Sequence, residues 1–266
     1  MLQQSTMAKM WRRLGIPRIL DWPGPLVVMY HGLGGSDGVQ VDEFATQCVR
    51  LAELYDVVPL RAAVDALGQP QARRMASITF DDGYHDFSEL AVPVLKRLGL
   101  HATLFVPAGK VGGHNDWDEG QRPRRFILDE AGLANLDPTV VEIGAHGWTH
   151  CRVAGLNSED LKRETVRARQ RLEEIVGTPV RLFAYPYGQL DDFDLAAERS
   201  VQEAGFDAAC STHFGRGSHL TERFRLRRVG IESYDSLETF EAKLDGDYDW
   251  QAPKEKIGAW IRTRRA

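Results

Sequence analysis

Cysteine is scarce: Cys48, Cys151 and Cys210 are the whole supply, an odd number with no Cys-x-x-Cys pair. That excludes a disulfide framework, and the thiols read as small buried hydrophobes of a reducing compartment. No run of about eighteen apolar residues occurs, so no membrane-spanning helix is expected. The first thirty residues lack an unbroken apolar stretch with a small-residue cleavage site, which gives no secretory signal and a cytoplasmic expectation. Basic charge is also in deficit. Lys and Arg number 33 against 38 Asp and Glu, a net charge of −5 at pH 7, whereas binding a phosphate backbone calls for a clustered basic excess. No nucleic-acid partner is expected.

What is present is an ordinary globular composition over 266 residues, 43% hydrophobic and 27% charged, with 12 Pro and 25 Gly. A chain of this length can fold around a single barrel-type core. Its two ends are basic and apolar together. Lys9, Arg12, Arg13 and Arg18 interleave with Met10, Trp11, Leu14, Ile16 and Leu20, while Trp260 and Ile261 precede Arg262, Arg264 and Arg265. Such ends suit peripheral contact with the anionic inner face of a membrane. The plainer alternative is helical ends whose apolar side chains pack on the body.

Between the ends, strand and helix patterns alternate. Short β-branched runs at Pro25 to Tyr30, Val57 to Leu60, Ala76 to Phe80, Ala102 to Val106, Val140 to Gly144, Val180 to Tyr185 and Ala208 to Ser211 read as buried strands. Phe44, Cys48, Leu51 and Leu54 repeat at helical spacing, as do Leu90, Val94 and Leu98. Ser158 is the expected N-cap of a helix running through Val176 and stopped by Gly177, and another helix is expected from Leu195 to Ala204. This order predicts an α/β fold, a parallel sheet closed or nearly closed and covered by helices. Gly109 to Pro123 has no periodicity and is long enough to be a functional loop.

Polar residues at the C-terminal ends of parallel strands carry the chemistry of such folds. Four strand ends here carry them. The first strand ends at His31, followed by a flexible Gly-rich loop. The next is Thr79-Phe80-Asp81-Asp82-Gly83, where two adjacent carboxylates leave a buried strand; one can bind a cation while its neighbour faces water. Read alone, Asp-Asp-Gly is equally good turn chemistry. His146-Gly-Trp-Thr-His150 sets two imidazoles at a spacing that can converge on one ion. With Asp82 they make three mixed N and O ligands, leaving room for water and substrate; Cys151 is a rival ligand that would close the site. The last strand end is Phe183-Ala-Tyr-Pro-Tyr-Gly188, whose backbone could meet an oxyanion.

The combination of Thr-Phe-Asp-Asp-Gly, then His-x-x-x-His, then Phe-Ala-Tyr-Pro-Tyr-Gly resembles the polysaccharide deacetylase family, the NodB-homology carbohydrate esterases of family 4, over about residues 25 to 235. The resemblance implies a distorted (β/α) barrel of about seven parallel strands. It also implies a divalent metal, usually Zn²⁺ with Co²⁺, Ni²⁺ or Mn²⁺ as substitutes, held by Asp82, His146 and His150, with Asp81 as catalytic base. The corresponding domain boundaries are a basic amphipathic extension over 1–24, the catalytic domain over 25–245 and a tail or helix over 246–266. The implied reaction is removal of acetyl groups from a carbohydrate, most simply N-acetyl from an acetamido sugar. The absence of an export signal adds a lipid-linked or nucleotide-linked glycan intermediate as substrate.

Departures from the family pattern shape further expectations. Many members carry Arg where Ala184 stands; this sequence resembles the subgroup with Phe-Ala-Tyr-Pro-Tyr-Gly, which implies that an Arg near the end of a late strand, here Arg228, orients Asp81 instead, with Arg227 pointing the other way and tolerant of change. Many also carry a late Leu-x-x-His as general acid. It is missing here, so His31 is assigned that role, with His213 and His219 as fallbacks. Tyr187 N–H is the expected oxyanion donor. Trp117, Trp148, Tyr185 and Pro186 are the expected substrate contacts, and His114, Asn115 and Asp116 beside Trp117 are expected to help choose the substrate. A sugar-binding protein with a decayed site and an amidohydrolase for small non-sugar amides are the rival readings.

Overall fold

The structure, a computed structural model, describes residues 24–255 together with Met7, Ala8 and Met10. Eight parallel strands follow one another along the chain: β1 (Leu26–Tyr30), β2 (Asp56–Val57), β3 (Met75–Phe80), β4 (Ala102–Val106), β5 (Val141–Ala145), β6 (Leu182–Ala184), β7 (Ala208–Phe214) and β8 (Leu226–Gly230). Seven of them close a barrel, because β1 pairs with β3 on one side and with β8 on the other. β2 is an addition that pairs only with Met75 and Ala76 of β3. The distortion is greatest between β5 and β6, which share the single register pair Ala145 and Phe183.

Alternation along each strand divides the apolar residues into two cores. Val27, Phe105, Leu182, Ala184, Ala208, Cys210 and Leu226 fill the barrel, floored by Leu60, Val64 and Leu67. Their neighbours Leu26, Val28, Tyr30, Ile78, Phe80, Leu104, Val106, Phe183 and Val229 face outward into a larger core under the helices. Both faces of each strand are therefore buried, which is why the strands read as nearly continuous apolar runs.

The covering helices are α1 (Val41–Leu54), α2 (Leu60–Asp65), α3 (Val92–Leu98), α4 (Glu130–Ala134), α5 (Ser158–Lys162), α6 (Ala168–Val176), α7 (Leu195–Glu203) and α8 (Leu237–Asp245). α5 and α6 are one helical run joined by a π turn, Arg163–Arg167, and a second π turn, Phe87–Ala91, leads into α3. The expected N-cap at Ser158 is corrected to Asn157, whose side chain accepts from Glu159 and Asp160 N–H. Asn157 takes the cap because its residue is still extended, while Ser158 already belongs to the first turn. Gly177 ends α6 in the left-handed conformation, as expected. The strand expected over Val57 to Leu60 is only two residues long, because Pro59 breaks it and Leu60 opens α2. β6 is also shorter than expected, the Val180 N–H being taken by the Glu173 carboxylate.

Most of the extension drawn over 1–24, and Trp260, Ile261 and the arginines after them, lie outside the described residues, and so does the expected membrane contact. Among the described residues no helix is long and apolar enough to cross a membrane. Residues 251–255 are helical and pack back on the barrel, Glu255 accepting from Phe214 N–H at 2.9 Å and pairing with His213 Nδ1 at 2.6 Å.

Candidate active site

The inward parity of the strands fixes what reaches the barrel mouth. Thr79 and Gly144 point inward, so Asp81 and His146, two residues on, do so as well just beyond their strand ends; the same step from Met29 gives His31 and from Cys210 gives Thr212. These four side chains meet around a hollow of about 100 Å³, which Asp82, His150, Tyr187, Trp117, Asp118 and Arg122 complete. A wider hollow of about 710 Å³ lies among Arg61, His101 and Glu142 at the strand starts and contains none of the motif residues. Its size does not make it the place of the chemistry.

Three non-glycine residues have positive φ among the described residues, Asp82 (74°), His150 (61°) and Tyr187 (59°), and all three line the small hollow. Each such residue costs about 1–2 kcal/mol. The reason is legible at Asp82. In extended backbone it would point away from Asp81, and the left-handed turn brings both adjacent carboxylates to one mouth.

Asp82, His146 and His150 are buried and offer one ligand atom each, all within 4.8 Å of one another. Asp82 Oδ1 lies 3.1 Å from His150 Nε2 and 3.5 Å from His146 Nε2, yet it lacks a well-aligned donor among the described residues. A buried carboxylate oxygen left in that state is costly. A divalent cation would relieve it, and the mixed N and O set suits zinc. His146 Nδ1 donates to the Ala184 carbonyl at 2.8 Å, which leaves its Nε2 lone pair facing Asp82. Burial, helped by His150, pulls the His146 imidazole down to about 4 against the upward pull of Asp81 and Asp82, so it is neutral at pH 7. Burial pushes the Asp82 carboxyl up, but His150, His31 and His146 outweigh it and hold it well below the usual range. Cys151 is half-buried and is not part of this cluster.

Asp81 is gripped by Arg228, whose side chain is fully buried, with Nη1 to Oδ1 and Nη2 to Oδ2 both 2.7 Å. Arg228 Nε donates to Ser211 O at 2.9 Å and Nη1 also to Thr79 Oγ1 at 3.3 Å. Burial pushes the Asp81 carboxyl up, and the Arg228 charge, with His146, more than offsets this, leaving it lowered. Arg227 does point the other way, where it pairs with the half-buried Glu222, contacts His213 Nε2 at 3.2 Å and is 7% exposed.

Trp117 stacks on His150 with ring centroids 3.9 Å apart at 17°, and Tyr187 meets the same imidazole edge-on at 5.0 Å. Thr212 Oγ1 donates to Tyr187 O at 2.7 Å, holding that left-handed residue in place. Other expected contacts are corrected. Tyr185 has outward parity: it is fully buried, stacks on Phe193 and donates to Phe224 O. Pro186 is buried and packs against Gly147, and Trp148 packs over Gly109 instead of lining the hollow. His114 faces Phe126, Asn115 bonds Pro123 O and Arg125 N–H, and Asp116 pairs with Lys110. His213 and His219 do not reach the hollow. The loop after His31 is bound by Arg125, which contacts Leu33 O, Gly34 O, Asp37 and Asp86. Asp118, Arg122 and Thr212 join the hollow without a motif to mark them; parity counted onward from Cys210 leads to Thr212, while the aperiodic loop gives no such rule.

Comparison with known proteins supports the same frame. YxkH of Bacillus subtilis (strain 168), which bears a polysaccharide deacetylase name, is 25% identical over 224 residues, 82% of this chain and 75% of its own length. The fold is shared with the Streptococcus pyogenes deacetylase PplD in complex with acetate, at a TM-score of 0.70 and 18% identity over 84% of this chain and 99% of that one. It is shared also with IcaB from Ammonifex degensii, at 0.68 and 21% over 86% and 97%. The polysaccharide deacetylase family model matches residues 68–209, more than half of the 266 residues, and the chain belongs to that family.

Proposed function

We propose that this chain is a metal-dependent hydrolase that removes acetyl groups from a carbohydrate, most simply the N-acetyl group of an acetamido sugar in a polysaccharide or glycan intermediate. The observation that carries the reading is the buried cluster of Asp82, His146 and His150 with an orphaned carboxylate oxygen at its centre, set beside the Asp81 and Arg228 pair. Bound by those three side chains, a divalent ion, Zn²⁺ in the first instance, would polarise the acetyl carbonyl and lower the pKa of water.

The other steps belong to the chain itself. Asp81, kept ionised and aimed by Arg228, takes a proton from the attacking water. Tyr187 N–H faces the developing oxyanion, and Trp117 offers its indole to the sugar ring. His31, at the mouth with both carboxylates, gives a proton to the departing amine.

The test is acetate release from chitooligosaccharides, peptidoglycan fragments, acetylated xylan, and nucleotide-linked and lipid-linked acetamido sugars, alongside the metal content of the purified protein. About one divalent ion per chain and chelator-sensitive release from a sugar substrate are expected. Release only from small non-sugar amides would replace the carbohydrate reading, and sugar binding with no release from any substrate would make the chain a binding protein.

A further inference from the structure

The turn carrying both histidines is held from behind by one buried carboxylate. Glu164 is fully buried in the π turn Arg163–Arg167. Its Oε2 accepts from Trp148 N–H at 2.7 Å and Thr149 N–H at 3.0 Å, and its Oε1 accepts from the Thr149 hydroxyl at 2.9 Å. All three donors lie between His146 and His150. Gly147 has φ of 74°, and a Cβ there would come within 2.9 Å of Glu164 Oε2 and 3.3 Å of Pro186 Cγ. Only glycine lets the carboxylate sit this close to the turn. A π turn changes the helical register locally, and here it coincides with the residue that reaches the site.

The two imidazoles are not fixed alike. His146 is anchored through Nδ1 to the Ala184 carbonyl, whereas His150 Nδ1 has no hydrogen-bond partner among the described residues. His150 is aimed by its own left-handed backbone and by the Trp117 stack. Any shift of the turn therefore passes directly to His150 Nε2. We infer that Glu164 is a positioning residue that sets the aim of His150, and through it the affinity and geometry of the cation site. The inference rests on the reading of Asp82, His146 and His150 as cation ligands.

Glutamine is the informative conservative variant. Its carbonyl can accept from both N–H groups while its amide donates to the Thr149 hydroxyl, so the three bonds to the turn survive although the 3.5 Å pairing of Glu164 with Arg163 is lost. Metal-stripped wild type, Glu164→Gln and Glu164→Ala would be titrated with Co²⁺ in competition with a chromophoric chelator, recording the visible absorption of bound Co²⁺ and the melting temperature of the metal-free protein. Glu164→Ala is expected to weaken Co²⁺ binding about 10–100-fold and alter the spectrum, the size of effect typical of partners behind a ligand. Glu164→Gln should keep the wild-type spectrum and stay within about threefold in affinity. Should the Ala protein not fold, Glu164→Asp withdraws the carboxylate by one methylene and gives the same readout. Wild-type affinity and spectrum in both shortened variants would overturn the inference, and so would equal weakening by Gln and Ala. Failure of the wild-type chain to bind Co²⁺ would instead overturn the cation reading on which it rests.

Discussion

Arg228 and Asp81 face each other inside the barrel through two parallel hydrogen bonds of 2.7 Å, with neither side chain more than 2% exposed. The two residues are 147 positions apart in the chain, and closure of the barrel across β1 brings β8 and the end of β3 together. A planar guanidinium matches a carboxylate in this way and a lysine ammonium does not. Arg228→Lys should therefore lower kcat while leaving metal content unchanged. It should also move the acid limb of kcat/KM to higher pH. The sign follows from Asp81, whose carboxyl is lowered chiefly against burial by the Arg228 charge; a weaker grip lets it protonate at a higher pH, and the protonated form is no base. A pH profile with an unmoved acid limb would count against this pairing as the control on Asp81.

The adjacent carboxylates should separate cleanly. Asp81→Asn is expected to reduce turnover by about two to four orders of magnitude, the range for a positioned base, with metal still bound. Asp82→Asn should instead weaken metal binding, because Asp82 Oδ1 is the atom lying 3.1 and 3.5 Å from the two imidazoles. Metal analysis beside kinetics of both variants checks this, and reversed phenotypes would exchange the two roles.

Why these residues were readable and others were not comes down to parity and to loops. Asp81, Asp82 and His146 stand directly after buried strands whose apolar runs mark them, and His150 follows in the turn at ligand spacing from His146, so position and residue type agree. Arg228 was readable because β8 is regular enough to separate it from Arg227. Tyr185 obeys the same rule: it neighbours the inward Ala184 and faces the outer core, away from the expected substrate contact. Trp148 and Pro186 failed because tight turns around Gly147 decide their packing, and alternation says nothing about turns. Asp118 and Arg122 come from the aperiodic loop, where the chain path depends on Asn115 and on the contacts of Arg125, residues without any local signal.

In the metal-free chain stability should depend on pH. His146 is pulled down to about 4 in the folded chain, while an unfolded histidine titrates near 6.5. Below about pH 6.5 the unfolded state takes up a proton that the folded state refuses, so stability falls as pH drops toward about 4. The depressed carboxyls of Asp81 and Asp82 act in the same direction at lower pH. Calorimetry of chelator-treated protein should show the melting temperature declining from pH 7 to pH 4.5, with His146→Gln flattening the upper part of that decline. An equal slope in the variant would assign the effect to other groups.

His31 is expected to protonate the leaving group. It is two residues beyond the inward Met29, and it lines the hollow with Asp81 and Asp82. The competing imidazoles are otherwise engaged: His146 and His150 face Asp82, and His213 is held between Glu255 and Arg227. The clamp of Arg125 on Leu33, Gly34 and Asp86 fixes the loop that follows His31, which suits a residue that must stay aimed. An amine leaves only if it gains a proton, whereas an activated aryl oxide leaves without one. His31→Ala should therefore depress hydrolysis of the acetamido sugar by about two orders of magnitude or more, while an aryl acetate is cleaved at a rate close to that of the wild type. Metal content should not change. Equal losses on both substrates would make His31 a binding or structural residue, and an unaffected amide rate would remove it from the reaction.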